Sequence, residues 1–441
     1  MTRRRSIAVG VLTSAGLVLA APLVAHAADD FEVDTTADTP DANPGDGECA
    51  DANGECSLRA AVEESNAQGG STTIELQGAT YVLSEGELSV MADIELEGDG
   101  STVDGDQQSR VFSIDAGASL YVDELTVKGG FVEGGADAIV GSGGGFANAG
   151  TLHLVDSTVT ENVADGPMAS GGGILNTGEL LVEDSAIFNN LATRAGGGIE
   201  ANGGVTVIDG SQLSGNSTGP GPGNGGGLHL TGAGEVRVDR SAINANNAEA
   251  EGGGLWNSAT GTMVVDRSTF SQNVAAGVDP DQGGGALFND GGSLVVTRSV
   301  LSDNSAPGPG GSGGGILNNK GTLEVSRTTI EGNEARRAGG GIEANIGQTS
   351  LDRVELLDNE TGNNPGNGGG LHITGAGQVD IDRGTVTGNS ATNEGGGLWN
   401  SSTGTLIATR TKVTGNTAPA GPDVFNDGGT FTLNGQTVPP S

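Results

Sequence analysis

Ten Gly-Gly-Gly triplets recur along this chain, and an Asn follows 19 to 21 residues after the start of each one. The triplets begin at residues 143, 171, 196, 225, 252, 283, 313, 339, 368 and 395. The asparagines are Asn162, Asn190, Asn216, Asn246, Asn273, Asn304, Asn333, Asn359, Asn389 and Asn416. A period of 25 to 31 residues is typical of a unit copied many times, because one unit cannot bury its apolar face alone. The chain is therefore predicted to be a solenoid.

Each repeat has the pattern of short β-strands separated by turns. In the repeat 252–273, apolar residues alternate with others around Trp256 and again from Met263 to Val265, and Phe270 precedes the closing Asn. Alternation with a period of two, bounded by Gly, Ser and Asn, indicates strands. Three strands and three turns per repeat predict an all-β fold, a right-handed parallel β-helix, because parallel crossovers favour the right hand. We expect about thirteen to fourteen coils.

Two polar columns recur at fixed positions in the repeats. The repeated Asn is predicted to form an inert ladder at a turn, each amide bonding the amides above and below it. The second column contains Arg240, Arg267, Arg298, Arg327, Arg353, Arg383 and Arg410. Asp precedes four of these arginines, which favours a salt-bridged surface ridge. A strip that binds sulfate or carboxylate groups is the alternative.

The N-terminus is predicted to carry an export signal over residues 1–27. This segment has a basic start, an apolar stretch and Ala25-His26-Ala27 as its cleavage site, which are the three parts of a secretory signal peptide. The sequence leaves open whether export uses the general secretory or the twin-arginine route.

A capping region is predicted over residues 28–70, before a β-helix that spans 71–441. Cys49 and Cys56 are the two cysteines of the chain, and one disulfide between them is expected in an exported protein. A helix is predicted within 56–67 because Ser57 suits an N-cap and apolar residues follow on one face. Helix and disulfide would cover the open end of the solenoid.

The charge of the chain restricts its partners. There are 56 acidic and 19 basic residues, a net charge of −37, and loss of the signal would remove three Arg, leaving 16 basic residues and a net charge of −40. Such an excess argues against nucleic acid and anionic membranes as partners. No apolar run after the signal is long enough for a transmembrane anchor. We therefore expect a secreted, extracellular or cell-surface protein.

No cofactor is expected, although Ca²⁺ stays open at one acidic stretch. Residues 38–55 are rich in Asp, Asn and Gly, which supply the oxygen ligands that Ca²⁺ prefers. The stretch lacks the full spacing of a calcium-binding loop. A polar loop beside the disulfide is the favoured interpretation.

Two sequence segments carry a family resemblance. CSLRAAVEESNA, residues 56–67, resembles the CSLREA-type N-terminal segment of secreted bacterial right-handed β-helix proteins, with Ala60-Ala61 in place of the usual Glu-Ala. The triplet coils resemble the repeats of chlamydial polymorphic outer membrane proteins, written roughly GGAI and FxxN, and Phe270 to Asn273 matches the second pattern. The resemblance implies the fold and an adhesin-like surface role. It implies no activity, because one fold supports many functions.

A block of five coils is duplicated, at about 171–292 and 313–429. The second residue after the triplet reads Leu, Glu, His and Trp in both copies, and the candidate binding residues are Glu200, His229, Trp256, Glu343, His372 and Trp399. Because Ile or Leu precedes each one, alternation predicts that these side chains point outward on successive rungs about 4.8 Å apart. A carboxylate, an imidazole and an indole in line would suit a sugar, since Trp stacks on a sugar face. Similarity left by a recent duplication is the competing explanation.

The favoured function is a non-enzymatic, adhesin-like protein that binds an extracellular polysaccharide or a cell-surface glycan along this strip. A polysaccharide lyase or glycoside hydrolase is one alternative, and a structural matrix protein is another. The sequence contains no Ser-His-Asp arrangement, zinc motif or phosphate loop, so it assigns no catalytic residue.

Overall fold

The computed structural model describes residues 29–134 and 141–441. Within these ranges the chain is a right-handed parallel β-helix whose 52 strands form four sheets along its sides. The predicted fold class is confirmed, with about twelve turns instead of about thirteen to fourteen. The predicted signal peptide, residues 1–27, lies outside the described residues.

Sheets A and B form two of the sides. Sheet A contains Asp29–Glu32, Ser71–Glu75, Asp93–Glu97, Ser119–Asp123, Thr151–Val155, Glu179–Glu183, Val205–Asp209, Glu235–Asp239, Thr262–Asp266, Ser293–Thr297, Thr322–Ser326, Gln348–Asp352, Gln378–Asp382, Thr405–Thr409, Thr430–Leu433 and Gln436–Thr437. Sheet B contains Thr80–Val82, Thr102–Asp104, Thr126–Lys128, Thr158–Thr160, Ala186–Phe188, Gln212–Ser214, Ala242–Asn244, Thr269–Ser271, Val300–Ser302, Thr329–Glu331, Glu355–Leu357, Thr385–Thr387 and Lys412–Thr414. Neighbouring strands pair in parallel, except in the C-terminal hairpin of sheet A.

Sheets C and D form the other two sides. Sheet C contains Leu88–Val90, Phe112–Ile114, Phe146–Asn148, Ile174–Asn176, Ile199–Asn202, Leu228–Thr231, Leu255–Asn257, Leu287–Asn289, Ile316–Asn319, Ile342–Asn345, Leu371–Thr374, Leu398–Asn400 and Val424–Asn426. Sheet D contains Phe131–Glu133, Val163–Asp165, Leu191–Ala192, Ser217–Thr218, Asn247–Ala248, Val274–Ala275, Ser305–Ala306, Glu334–Ala335, Glu360–Thr361 and Ser390–Ala391. Each complete coil runs through sheets C, A, B and D in that order. The short strand in sheet D is a fourth strand in each coil, which the three-strand prediction omits.

The predicted alternation places one apolar side chain after another inside the coil. In the repeat 252–273, Leu255, Met263, Val265 and Phe270 are fully buried. Their counterparts above and below belong to the same apolar cluster, which runs along the solenoid. Burial of this column of side chains stabilises the fold, because a single coil would leave both of its apolar faces in water.

The Gly triplets are required by the close approach of neighbouring rungs. The first glycine has a left-handed backbone, with φ of 65° at Gly225, a conformation that glycine adopts without cost. A Cβ on the second glycine, Gly226, would lie 2.5 Å from the carbonyl oxygen of Gly253 and 2.7 Å from that of Asn247. The triplet therefore marks the corner between sheets D and C, where a side chain has no room.

The predicted Asn ladder is present and fully buried. Asn273 Nδ2 donates to Oδ1 of Asn304 at 2.9 Å and to the carbonyl oxygen of Ile243 at 2.7 Å, while its own Oδ1 accepts from Asn246. The same pattern runs from Asn162 to Asn416. At the end, Asn416 donates to the carboxylate of Asp423. A carboxylate suits only this last position, because an ionised Asp accepts and cannot donate.

The N-terminal cap contains the predicted helix and disulfide. The helix spans Leu58–Gln68, and the Ser57 hydroxyl caps it by accepting from the amide of Ala60. Cys49 and Cys56 are bonded. Asp29–Glu32, within the region predicted as a cap, also pairs with the first strand of the solenoid proper.

The predicted ion-paired ridge is also present. The arginine side chains lie at the turn between sheets A and B. Four of them lie within 4.0 Å of the Asp that precedes them in sequence, and five form an ion pair with an aspartate on the preceding rung. The pairs are Arg240–Asp209, Arg267–Asp239, Arg298–Asp266, Arg383–Asp352 and Arg410–Asp382. Two of the seven arginines do not follow this rule.

Substitution of Asn273 tests whether the ladder is a main source of stability. We expect Asn273→Ala to lower the free energy of unfolding by about 2–4 kcal/mol, because it leaves donors of Asn246 and the carbonyl of Ile243 unpaired. Asn273→Asp keeps the acceptor and loses both donors, so it is expected to destabilise at least as much. Denaturant unfolding of the purified protein measures both effects. Asn244→Ala, at a half-buried position outside the ladder on the preceding coil, is the control, and an equal loss there would contradict the role of the ladder.

Candidate functional site

The candidate residues lie in one outward-facing column of sheet C. The strand register places Glu200 beside His229 and His229 beside Trp256. The second copy has the same order, Glu343, His372 and Trp399. Phe288 and Phe425 follow the two tryptophans in the column.

These side chains point away from the core but are largely buried. Glu200 and His229 are 2% and 4% exposed, and Trp399 is 9% exposed. The turn at the start of each triplet packs against the column, since a Cβ on Gly225 would lie 2.7 Å from the Cβ of His229. The expectation of an exposed strip is therefore wrong. Alternation defines the side of the strand from which a side chain projects, but it does not reveal what covers that side.

A carboxylate, an imidazole and a hydroxyl form a closed hydrogen-bonded unit in each copy. Nδ1 of His229 lies 3.0 Å from Oε2 of Glu200, and the hydroxyl of Thr231 donates to Oε1 of Glu200 at 2.6 Å. In the second copy the corresponding distances, among Glu343, His372 and Thr374, are 2.9 Å and 2.6 Å.

The electrostatic environment keeps the buried glutamates ionised. Burial alone raises the pKa of Glu200, but the charge and hydrogen bond of His229, with Thr231 and Arg194, outweigh it and hold the pKa below its usual value. The pKa of Glu343 is lowered in the same way. Burial raises this pKa, but His372, Arg337 and Thr374 together lower it by more.

An ionised carboxylate fixes the orientation of the imidazole. Since an ionised Glu200 is only an acceptor, Nδ1 of His229 carries the proton that faces it. Nε2 of both histidines has no hydrogen-bond partner within the described part of the chain. This nitrogen is therefore left to bind water or a ligand.

The aromatic rings of the column stack on each other. The centroids of His229 and Trp256 are 4.3 Å apart at an interplanar angle of 22°, and those of Trp256 and Phe288 are 6.1 Å apart at 5°. The second copy has 4.2 Å between His372 and Trp399. Both faces of each indole are therefore occupied, which leaves only the ring edge for contact with a sugar.

Each indole is also anchored by a glutamate that the sequence prediction left out. Nε1 of Trp256 donates to Glu251 at 2.9 Å, and Nε1 of Trp399 donates to Glu394 at 3.1 Å. Burial raises the pKa of Glu251 to about 7; the bond from Trp256 opposes this rise, and the charges of Asp290 and Asp281 add to it. Glu251 is thus a carboxyl group that titrates near neutral pH.

A longer loop distinguishes the first copy from the second. Residues 277–282 fold along the column, where Asp281 accepts a bond from Asn345 at 3.1 Å and the carbonyl of Pro280 accepts one from Arg337 at 3.3 Å. The segment 418–422 has no counterpart of Asp281. The carboxyl groups around Trp256 are therefore more numerous than those around Trp399.

A second outward column accompanies the first along sheet C. Its members in the first copy include Thr231, Ser258 and Asp290. The second copy has the same residues, Thr374, Ser401 and Asp427. Asp290 is half-buried and Asp427 is exposed, so this column offers polar groups to solvent beside the buried rings.

Several residues of this arrangement were missed from the sequence, although a signal for them exists. Thr231, Glu251 and Phe288 recur at equivalent positions in the second copy as Thr374, Glu394 and Phe425. A comparison of every position between the two copies, and not only of the second residue after each triplet, reveals them.

Metal binding gains no support in the part of the chain that the structure describes. No group of three or more His, Cys, Asp or Glu in residues 29–134 and 141–441 is arranged to hold a metal ion. In the stretch 38–55 the carboxylates bond within the cap: Asp38 pairs with Arg59, and Asp51 accepts from the amides of Asn53 and Glu55.

Comparison with known proteins identifies the fold. A family model that describes the right-handed β-helix region matches residues 142–326, which include the whole first copy. Neither the search of curated proteins nor the search of solved structures found a significant match. No described helix is long and apolar enough to cross a membrane.

The raised pKa of Glu251 predicts how stability changes with pH. Its folded pKa of about 7 exceeds the ordinary value of 4.5, so its contribution is fully present below about pH 4.5 and is lost as pH rises through about 7. We expect Glu251→Gln to be more stable than the wild type at pH 9, by up to about 3 kcal/mol, and equal to it at pH 4.5. Denaturant midpoints at the two pH values measure this difference.

The matched variant is Glu394→Gln, which replaces the equivalent carboxylate–indole bond in the second copy. It reports the effect of the amide itself. A stability difference between Glu251→Gln and wild type that is the same at both pH values would contradict the assigned pKa.

Proposed function

We propose that this chain is a secreted, non-enzymatic, adhesin-like β-helix protein that binds an extracellular polysaccharide along sheet C. The signal peptide predicted for residues 1–27 and the disulfide support an oxidising, extracellular location. The groups that would contact the sugar are Nε2 of the two histidines, the indole edges, and the polar column that contains Asp290 and Asp427.

One observation carries the proposal. In both copies a glutamate holds Nδ1 of a histidine, at 3.0 Å and 2.9 Å, and Nε2 has no partner among residues 29–134 and 141–441. A fixed imidazole with one free nitrogen is a directional group for a sugar hydroxyl, while the stacked rings provide a rigid support. Five rungs separate the copies by about 24 Å, which suits a polymer better than a small molecule.

Asparagine substitution of the histidines tests the proposal. The double variant His229→Asn/His372→Asn keeps a donor near the position of Nδ1 and removes Nε2, so we expect it to lose at least about tenfold in polysaccharide affinity. Binding is measured on a glycan array and then by titration calorimetry with the polymer found.

The control for this experiment is His153→Asn. His153 lies on sheet A and bonds Glu183 at 2.7 Å, so it presents a similar His–Glu pair on another face. Trp256→Ala/Trp399→Ala removes the indole edges and serves as a second test. Wild-type affinity in both folded double variants would exclude sheet C as the binding face, and the absence of any glycan ligand would favour a structural matrix protein.

The carboxyl groups around Trp256 favour glycoside hydrolysis as the second candidate function. Such hydrolysis uses a protonated carboxylic acid and an ionised carboxylate, and Glu251 with Asp290 could supply this pair in the first copy. On this second proposal, the wild type and Glu394→Gln would release reducing sugar from a polysaccharide, whereas Glu251→Gln and Asp290→Asn would not. A parallel assay for unsaturated products of uronic-acid polymers reports lyase activity. Activity retained in Glu251→Gln would exclude this pair.

A further inference from the structure

The arginine column at the turn between sheets A and B follows a strict pairing rule. All seven arginines have a left-handed backbone, with φ between 47° and 56°. Five of them form an ion pair with the aspartate that ends the sheet A strand one rung earlier. The aspartates therefore alternate with the arginines along the axis, so that like charges do not meet directly.

The rule breaks at two successive rungs. Thr297 and Ser326 occupy the positions where aspartates stand in the neighbouring rungs. The Arg327 side chain consequently has no hydrogen bond or ion pair to any residue in the described ranges. Arg353 turns to Asp352 of its own rung at 3.3 Å, and this aspartate also binds Arg383.

Charge is therefore uncompensated at one place on the ridge. Seven arginines face five aspartates in the column, Asp209, Asp239, Asp266, Asp352 and Asp382. The two excess positive charges lie at Arg327 and Arg353, which are both exposed. Elsewhere the chain is strongly acidic, with a net charge of −37.

A groove of about 390 Å³ is located at this gap. Its lining includes Arg327, Arg353 and Arg383, together with the hydroxyl-bearing Thr329 and Thr385. Glu355 is the acidic residue of the lining, and it accepts a bond from Thr329 at 3.2 Å.

The equivalent turn of the first copy lacks the two arginines of the gap. Asp184 and Gly210 stand 143 residues before Arg327 and Arg353, and they line a groove of about 490 Å³ that also includes Asp156 and Arg240, the counterpart of Arg383. Asp184 has the same left-handed backbone, with φ of 46°. The turn therefore accepts either charge, so the fold does not require arginines at the gap.

We propose that the groove at Arg327 and Arg353 is a binding site for the sulfate or carboxylate groups of an acidic polysaccharide. Guanidinium groups bind such anions through two parallel hydrogen bonds, and the hydroxyl of Thr385 adds a further donor. An anion between the two arginines would take the position that an aspartate takes on the other rungs. The site lies away from sheet C and does not depend on the function proposed for it.

Completing the aspartate column tests this site without removing any arginine. Thr297→Asp/Ser326→Asp places the carboxylates that the neighbouring rungs already carry, so the fold is expected to tolerate them. We expect wild type to bind immobilised dextran sulfate or polygalacturonate above neutral dextran, with inorganic sulfate as a competitor. The filled variant, and Arg327→Asp, should bind at least about tenfold more weakly, and Glu355→Gln should bind more tightly because it removes a repelling charge.

Three controls make the outcome decisive. Arg267→Asp changes the charge equally at a paired rung and should leave binding within about threefold of wild type. His229→Asn/His372→Asn should leave it unchanged, which separates this site from the one on sheet C. A comparison of binding to dextran sulfate and to polygalacturonate shows whether the site prefers sulfate or carboxylate groups. Equal binding by wild type and the filled variant, or no wild-type binding to either polyanion, would overturn the proposal.

Discussion

The regular contact between one rung and the next is the interaction on which the rest of the structure depends. The Asn ladder sets this contact, because each buried amide donates to one neighbour and accepts from the other. An amide can be stacked on copies of itself without limit, whereas a carboxylate can only end the series, as Asp423 does. The Gly triplets allow the same spacing at the neighbouring corner, at the other end of the sheet D strand. Every surface column inherits the geometry fixed by these two features.

The sequence predicted those parts of the fold in which a residue's role depends on its own strand. Leu255 and Val265 are buried as their alternation requires, and Asn273 and Arg267 lie in the columns expected for them. Sheet D was missed because strands such as Leu191–Ala192 are too short to alternate. The burial of Glu200 and His229 was also missed, since it depends on how the triplet turn packs against the strand. Contacts of that kind involve residues distant in sequence, and no local pattern encodes them.

The two copies of the five-coil block separate conserved geometry from altered chemistry. The Glu–His–Trp column keeps its distances to within a few tenths of an ångström between copies, and a buried stack needs such retention whether or not it binds a ligand. The surface groove at the turn between sheets A and B shows the opposite behaviour, with Asp184 in one copy and Arg327 in the other. Packing thus explains why the Glu–His–Trp column is retained. It does not explain why Asp184 in one copy corresponds to Arg327 in the other.

Stacking side chains along one axis restricts which residues can follow each other. Like charges one rung apart repel, so the ridge offsets Asp239 from Arg267 by one position and lets opposite charges meet. The column on sheet C avoids like charges in another way, because its side chains become less polar from rung to rung. A carboxylate contacts an imidazole, the imidazole contacts an indole, and the indole contacts a phenyl ring. Leu317 then separates Phe288 from Glu343, the first residue of the next series. Thr297 and Ser326 break the order of the ridge, and no other residue in the described ranges supplies the carboxylate that Arg327 lacks.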